Sequence, residues 1–157
     1  MGSDFPVTDN LKRIVNDKSF FDPIIKKGHK LTDKATQYEI YALALEKTGS
    51  SELSIASSYL KATWIANSKR ERKKEVEYRL LAIEHFKKAL DKNEFDDKER
   101  RNQILYLIGA LYRRIGEFEQ AIEWFSKVPN TSNFKLYSDK MKNLAQQKDS
   151  SKQYFEK

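Results

Sequence analysis

The string LYLIGALYRRIGEFEQAIEWF at positions 105–125 limits the possible folds of this chain more than any other stretch. Ile104, Leu105, Ile108, Leu111 and Tyr112 recur at the spacing of a helix with one buried face. Gly116 then breaks the series where a helix can end in left-handed backbone. A second apolar series runs from Phe118 to a stop at Pro129. Two helices joined by so short a turn lie back to back. A pair of that size cannot bury its apolar faces alone, so it needs neighbours.

The composition supports helices throughout. Of 157 residues, 34% are charged and 39% hydrophobic, with only five glycines and three prolines, too few turn-formers for a strand-rich domain. The chain has no cysteine, which excludes disulfides, thiolate metal sites and a cysteine nucleophile, and fits a reducing, cytoplasmic setting. No apolar run approaches the roughly 20 residues that cross a bilayer, and positions 1–10 lack the pattern of a signal peptide. The formal charge of +7 suits either a solvated basic surface or an acidic partner such as nucleic acid.

Along the chain, positions 8–17 carry Leu11, Ile14 and Val15 at helical spacing behind a cap at Thr8 or Asp9. Phe20, Phe21, Pro23, Ile24 and Ile25 form an apolar connector. A helix over 32–48 places Leu31, Ala35, Tyr38, Ala42 and Leu45 on one face, with Thr32 as cap and Gly49 as stop. Another begins at Ser50 or Ser51 and carries Leu53, Ala56, Leu60, Thr63 and Trp64. At 67–74, NSKRERKK, Ser68 and Glu71 spell a capping box, and a break there is favoured over one helix running through because two antiparallel helices can bury each other and one long rod cannot. The next stripe is Val76, Leu80, Ile83, Phe86 and Leu90. Asp96 or Asp97 caps the helix that ends at Gly116. A last helix over 133–147 places Phe134, Tyr137, Met141 and Leu144 together, and beyond it Tyr154 and Phe155 could dock if the tail stays helical.

Positions 105–128 resemble a tetratricopeptide unit. The resemblance implies that small Gly109 and Ala121 sit where two helices cross closely, with Tyr112 and Phe125 filling the space beside them. Trp64, with Ala82, Phe86 and Ala89, matches a second unit stretched by about seven residues. The strings YLKATWIANS (59–68), EYRLLAIEHFKKALDKNEF (77–95) and LYLIGALYRRIGEFEQAIEWFSKV (105–128) together resemble a bacterial family of unknown function, over about residues 30–145. Its members join a Cys-rich, zinc-ribbon-like segment to stretched tetratricopeptide-like repeats. Those cysteines are missing here, so no zinc function carries over. The expected fold is all-α, with stacked antiparallel helix pairs, one stretched repeat and capping helices. The expected divisions are an extension at 1–30, a helical domain at 31–147 and a polar tail at 148–157.

Nothing in the sequence spells an enzyme, a metal site or a cofactor. His29 and His85 lack any paired spacing, and the structural or solvated role is the ordinary one for each. Glu119 and Glu123 share a helix face, as exposed charges commonly do. The glycines stand singly, so no phosphate-cradling loop exists.

Binding is the expected role. Stacked helix pairs line a groove with their first helices. The resemblance places Gln103, Tyr106, Leu107, Ala110, Arg113 and Arg114 on that groove in the clean unit, and Leu60, Lys61, Trp64 and Asn67 in the stretched one. Tyr106 and Ala110 stand where chaperone-binding relatives of the repeat use Asn and Lys to grip a terminal carboxylate, so that clamp is not expected. The alternative for Trp64 and Tyr106 is core packing, or cover by a capping helix. The leading expectation is a scaffold for another protein or peptide. A second is nucleic-acid contact through Lys69, Arg70, Arg72, Lys73 and Lys74, joined by Arg113 and Arg114 if the intervening helices are antiparallel. A third is self-association through exposed groove residues.

Overall fold

The computed structural model of the chain describes residues 9–151, and every regular element among them is helical. In order they are α1 (Asp9–Val15), a 3-10 turn (Lys18–Phe21), α2 (Asp22–Lys26), α3 (Lys34–Lys47), α4 (Glu52–Ser68), α5 (Arg72–Asp91), α6 (Lys98–Arg114), α7 (Phe118–Ser126) and α8 (Lys135–Gln146). The fold is all-α. The expected docking of Tyr154 and Phe155 and the cap at Thr8 lie outside the described residues. The chain divides into two compact units, one ending at Tyr78 and the other beginning at Arg79, so the seam falls inside α5. That seam differs from the boundaries near 30 and 147 read from the sequence.

In the first unit, α3 and α4 form an antiparallel hairpin. Tyr38 sits about as far before the turn as Ser58 and Lys61 sit after it. The Ser58 hydroxyl donates to the Tyr38 carbonyl at 2.8 Å, and the Lys61 ammonium lies 5.8 Å from the centre of the Tyr38 ring. Buried Ala35, Ala42 and Ala44 on α3, with Ala56, Ala62 and Ala66 on α4, keep the side chains of this hairpin small. The connector packs as its apolar content requires: Phe20 and Ala44 centre a cluster with Ile14, Val15, Phe21, Ile40, Tyr41 and Leu43. Ile24 is fully buried, a gain of roughly 1.5–3 kcal/mol in apolar burial. Leu31 and Ile25 are instead exposed: Leu31 lies in the turn before α3 begins, and Ile25 falls one position past buried Ile24.

In the second unit α6 packs on α7, and α7 on α8. A Cβ built on Gly109 would lie 2.7 Å from the Phe125 ring, closer than side chains tolerate. Glycine is therefore required here by the close approach of the two helices, as the resemblance implied. Ala121, one turn before Phe125 on α7, is fully buried.

Helix ends follow one device. After α3, α4, α5, α6 and α8 a residue takes left-handed backbone, and the next N–H reaches back five residues to a carbonyl. The pairs are Ser50 to Leu45, Glu71 to Ala66, Glu94 to Ala89, Glu117 to Tyr112 and Asp149 to Leu144. Gly49 and Gly116 suit that conformation, whereas Arg70, Asn93 and Lys148 adopt it at φ of 58°, 54° and 57°. The break expected within 67–74 is present between α4 and α5, and the capping box is not its cause. The Ser68 hydroxyl donates to Ile65 within α4, so no capping box forms. Helix starts are capped by Asp33, one residue after the expected Thr32, and by Ser51 and Asp97. Each accepts from the backbone N–H three residues on.

Two apolar stripes read from the sequence are rotated in the structure. On α5 the buried line is Glu75, Tyr78, Arg79, Ala82, Ile83, His85, Phe86 and Ala89, while Leu80 is 47% exposed. Polar residues inside the buried face hid it. On α8 the buried line is Ser138, Met141 and Ala145, one step from the expected face, and Tyr137 is exposed.

Candidate functional site

The densest polar constellation lies in the first unit, where the connector after α2 meets α3 and the start of α5. Its centre is Glu39, which stands in the apolar line of α3 between Ala35 and Ala42 and is 1% exposed. A buried carboxylate must be paired or hydrogen-bonded to stay ionised. Glu39 has three donors. The Tyr78 hydroxyl and His29 Nδ1 each lie 2.7 Å from Oε1, and Lys27 Nζ lies 3.1 Å from Oε2. Burial alone would raise its pKa. The bonds from Tyr78, His29 and Lys27 outweigh burial and hold the carboxyl below its usual range.

The partners respond in kind. Burial and the Glu39 charge push the Tyr78 phenol far above its ordinary value, so it remains a donor. Burial works against the Lys27 ammonium, but Glu77 at 2.6 Å and Glu39 together keep its pKa raised. Because an ionised carboxylate only accepts, the proton between it and His29 belongs on Nδ1. The ring then presents Nε2 toward Glu77, whose Oε2 is 4.0 Å away. His29, for which the sequence offers a structural or solvated role, is thus oriented by a buried acid. His85 is buried too, at 3% exposure.

A second hub sits at Asp33. Its carboxylate caps α3 and takes Lys69 at 2.9 Å and Lys74 at 3.3 Å. Burial opposes ionisation, but the bonds from Lys69, the Thr36 N–H and Lys74 bring the pKa down to about 2. Two open clefts flank these hubs and share Gly28 and Lys74: Lys27, His29, Lys73 and Glu77 line one, and Lys30, Asp33, Lys69 and Glu71 the other. Among the described residues, no group of three or more His, Asp or Glu could hold a metal ion.

The basic run is therefore largely neutralised. Lys69 and Lys74 are engaged by Asp33, and Arg72 by Glu75 at 3.0 Å. Arg70 and Lys73 are exposed and take part in no ion pair among the described residues. The expected reinforcement by Arg113 and Arg114 fails, because both are buried, at 0% and 5% exposure. Arg113 Nη1 donates to the backbone carbonyls of Asp149 and Ser151 at 2.8 and 2.9 Å. The end of α6 faces the chain that leaves α8, not water.

The groove candidates divide similarly. Tyr106 lies between Phe125, at 5.8 Å between ring centres, and Phe134 at 5.6 Å, so its ring is spent on the second unit's own packing. Gln103, Leu107 and Ala110 are half-buried, and Arg100 donates to Gln103. On α4, Leu60 and Trp64 are half-buried and Lys61 is exposed, its ammonium 5.8 Å from the centre of the Tyr38 ring on α3. Asn67 donates to Glu75 at 3.2 Å.

A family model described as "Uncharacterized protein conserved in bacteria (DUF2225)" matches residues 12–151. The chain belongs to that family. No curated protein and no solved structure matches it. The DUF2225 match spans α2 to α8 and both polar hubs, and it agrees with the resemblance to a bacterial family of unknown function. Among the described residues no helix is long and apolar enough to cross a membrane.

Proposed function

We propose that this chain is a non-enzymatic, tetratricopeptide-like scaffold that holds a segment of another protein at Leu60, Lys61 and Trp64 of α4. The close approach of Gly109 to Phe125 carries the reading, because this small-on-large crossing is the packing that the resemblance to the repeat implies. Leu60, Lys61 and Trp64 then stand on a helix face that offers apolar surface beside a cation, a mixture common at binding hot spots. A cytoplasmic setting fits the absence of cysteine. The Cys-rich segment that the resemblance places ahead of the helices is a candidate partner within one polypeptide.

The test is a photo-crosslinking residue placed at Leu60, at Lys61 or, as a control, at exposed Glu84, in the bacterium that makes the protein. A crosslinked partner from the two α4 positions, absent from Glu84 and lost on Trp64→Ala, is the expected result. Equal crosslinking at all three would remove the scaffold reading.

A second reading, backbone-directed nucleic-acid contact, is favoured by exposed Arg70 and Lys73 alone. Fluorescence anisotropy with single-stranded RNA and duplex DNA at about 50 and 200 mM salt tests it, since phosphate contacts weaken steeply over that range. Binding lost on Arg70→Glu with Lys73→Glu would favour it; no binding at the lower salt would end it.

A further inference from the structure

We propose that Lys87, Tyr112, Trp124 and Lys127 form a receptor for paired side-chain carboxylates in an extended acidic segment of a partner protein. The proposal rests on the scaffold reading and gives that scaffold a second contact, of stated chemistry, within the second unit.

Three helices build the site. Lys87 comes from α5, Tyr112 from α6 and Trp124 from α7, with Lys127 in the turn that closes α7. The half-buried Trp124 ring gathers both cations: the Lys87 ammonium lies 5.4 Å from its centre and the Lys127 ammonium 5.2 Å. The Lys87 ammonium is also 5.1 Å from the centre of the Tyr112 ring and donates to the Tyr112 hydroxyl at 2.6 Å. Aromatic faces attract an ammonium but do not neutralise it. Two like charges thus stand beside one ring, and among the described residues neither has a carboxylate partner. Glu84, three residues before Lys87, is turned to Lys88 at 3.8 Å and lies outside the site. Asp91 and Glu123, each one turn from one of the two lysines, pair with neither. In the first unit, by contrast, Lys27, Lys69 and Lys74 each hold an acid.

The Tyr112 hydroxyl sharpens the chemistry. It accepts from Lys87, and its own proton has no acceptor among the described residues. A carboxylate beside Lys87 accepts from the ammonium and the phenol together, through charge-assisted bonds. A second carboxylate meets Lys127, the exposed member. Alternate side chains of an extended segment stand about 7 Å apart on one side. The two ammoniums are separated by no more than their distances from the Trp124 centre laid end to end, so such a pair fits. A nucleobase finds less here, because the ring on which it would stack already carries both ammoniums.

The chain has two tryptophans, so Trp64→Phe leaves Trp124 as a fluorescent reporter inside the site. The probe is the synthetic peptide acetyl-Gly-Glu-Ala-Glu-Gly-amide, with Gln replacing both Glu in its neutral control. The acidic peptide is expected to shift Trp124 emission saturably, with the control needing about tenfold more. Tyr112→Phe should raise the acidic peptide's midpoint about threefold. Lys87→Gln with Lys127→Gln should abolish the shift, whereas Lys34→Gln with Lys140→Gln, which removes the same charge from exposed positions elsewhere, should leave the midpoint within about twofold. No shift at about 10 mM acidic peptide overturns the proposal. Equal midpoints for the two peptides overturn it as well, as does equal loss in the two lysine pairs. A short single-stranded RNA that shifts Trp124 at lower concentration than the peptide would also overturn it, by giving the site to phosphate. Crosslinks from Leu60 and Lys61 read the scaffold separately. Their persistence with a silent Trp124 would sink the carboxylate receptor alone; a responsive Trp124 without them would keep the receptor and remove the α4 contact.

Discussion

The two units are held by different physics. The first organises itself around buried charge, with Glu39 gathering Tyr78, His29 and Lys27 while Asp33 gathers Lys69 and Lys74. The second also buries Arg79, Arg113 and Arg114, but its helix crossing turns on fit, with Phe125 seated where Gly109 has no side chain and Ala121, Met141 and Ala145 fully buried. Charge hubs depend on pH and on every partner being present. Close packing depends on volume and is indifferent to pH. The same all-helical chain should thus answer two kinds of perturbation in two places.

Volume provides the largest break. Phe125→Ala should cost about 3–5 kcal/mol. Amide exchange resolved by residue should show the loss beyond Arg79 first. Spread over both units alike, the loss would erase the contrast. Glu39→Ala comes next, on the order of 3 kcal/mol, since it strands the Tyr78 hydroxyl and His29 without an acceptor. Urea unfolding of this variant should restore part of the stability when Tyr78→Phe is added; no recovery would mean that the hub is not coupled. Gly109→Ala is smaller, about 1–2 kcal/mol, because overpacking against Phe125 outweighs the helix propensity gained. Adding Phe125→Leu should return some of that loss, a reciprocity that thermal melts can read.

Acid sharpens the comparison without any substitution. Glu39 and Asp33 have folded pKa values below their ordinary ones. The stability they contribute is fully present above the usual carboxylate range. It is lost as pH falls, for Asp33 through about 2. Amides before Tyr78 should therefore lose protection earlier in an acid titration than those after Arg79, and Asp33→Asn with Glu39→Gln should flatten the difference. Smallest is Ser58→Ala, which removes one buried bond to Tyr38 and should cost about 0.5–1.5 kcal/mol.

The second unit was the more legible in sequence because its packing is written locally: Gly109, Gly116, Ala121 and Phe125 lie within one short string. The charge hubs were not, because Lys27, His29, Glu39 and Tyr78 are scattered along the chain and no spacing links them. One signal was available. Glu39 interrupts the line Ala35, Tyr38, Ala42, and a carboxylate in the middle of a buried face demands donors. Glu75, Arg79 and His85 did the same on α5, where reading only apolar residues rotated the face and left Leu80 outside. Arg113 misled for the opposite reason. A cation near a helix end reads as solvent-facing or as helping the dipole, and nothing local reveals that the chain leaving α8, 36 residues later, will cover it.

The seam between the units runs through α5 rather than through a loop. A recombination event joining one half to a foreign partner would have to cut a continuous hydrogen-bonded ladder, leaving two frayed ends where one helix stood. Halves that cannot be parted cleanly are passed on together, so the charge-built and the fit-built parts of this chain should share one line of descent, neither traded away as an independent module.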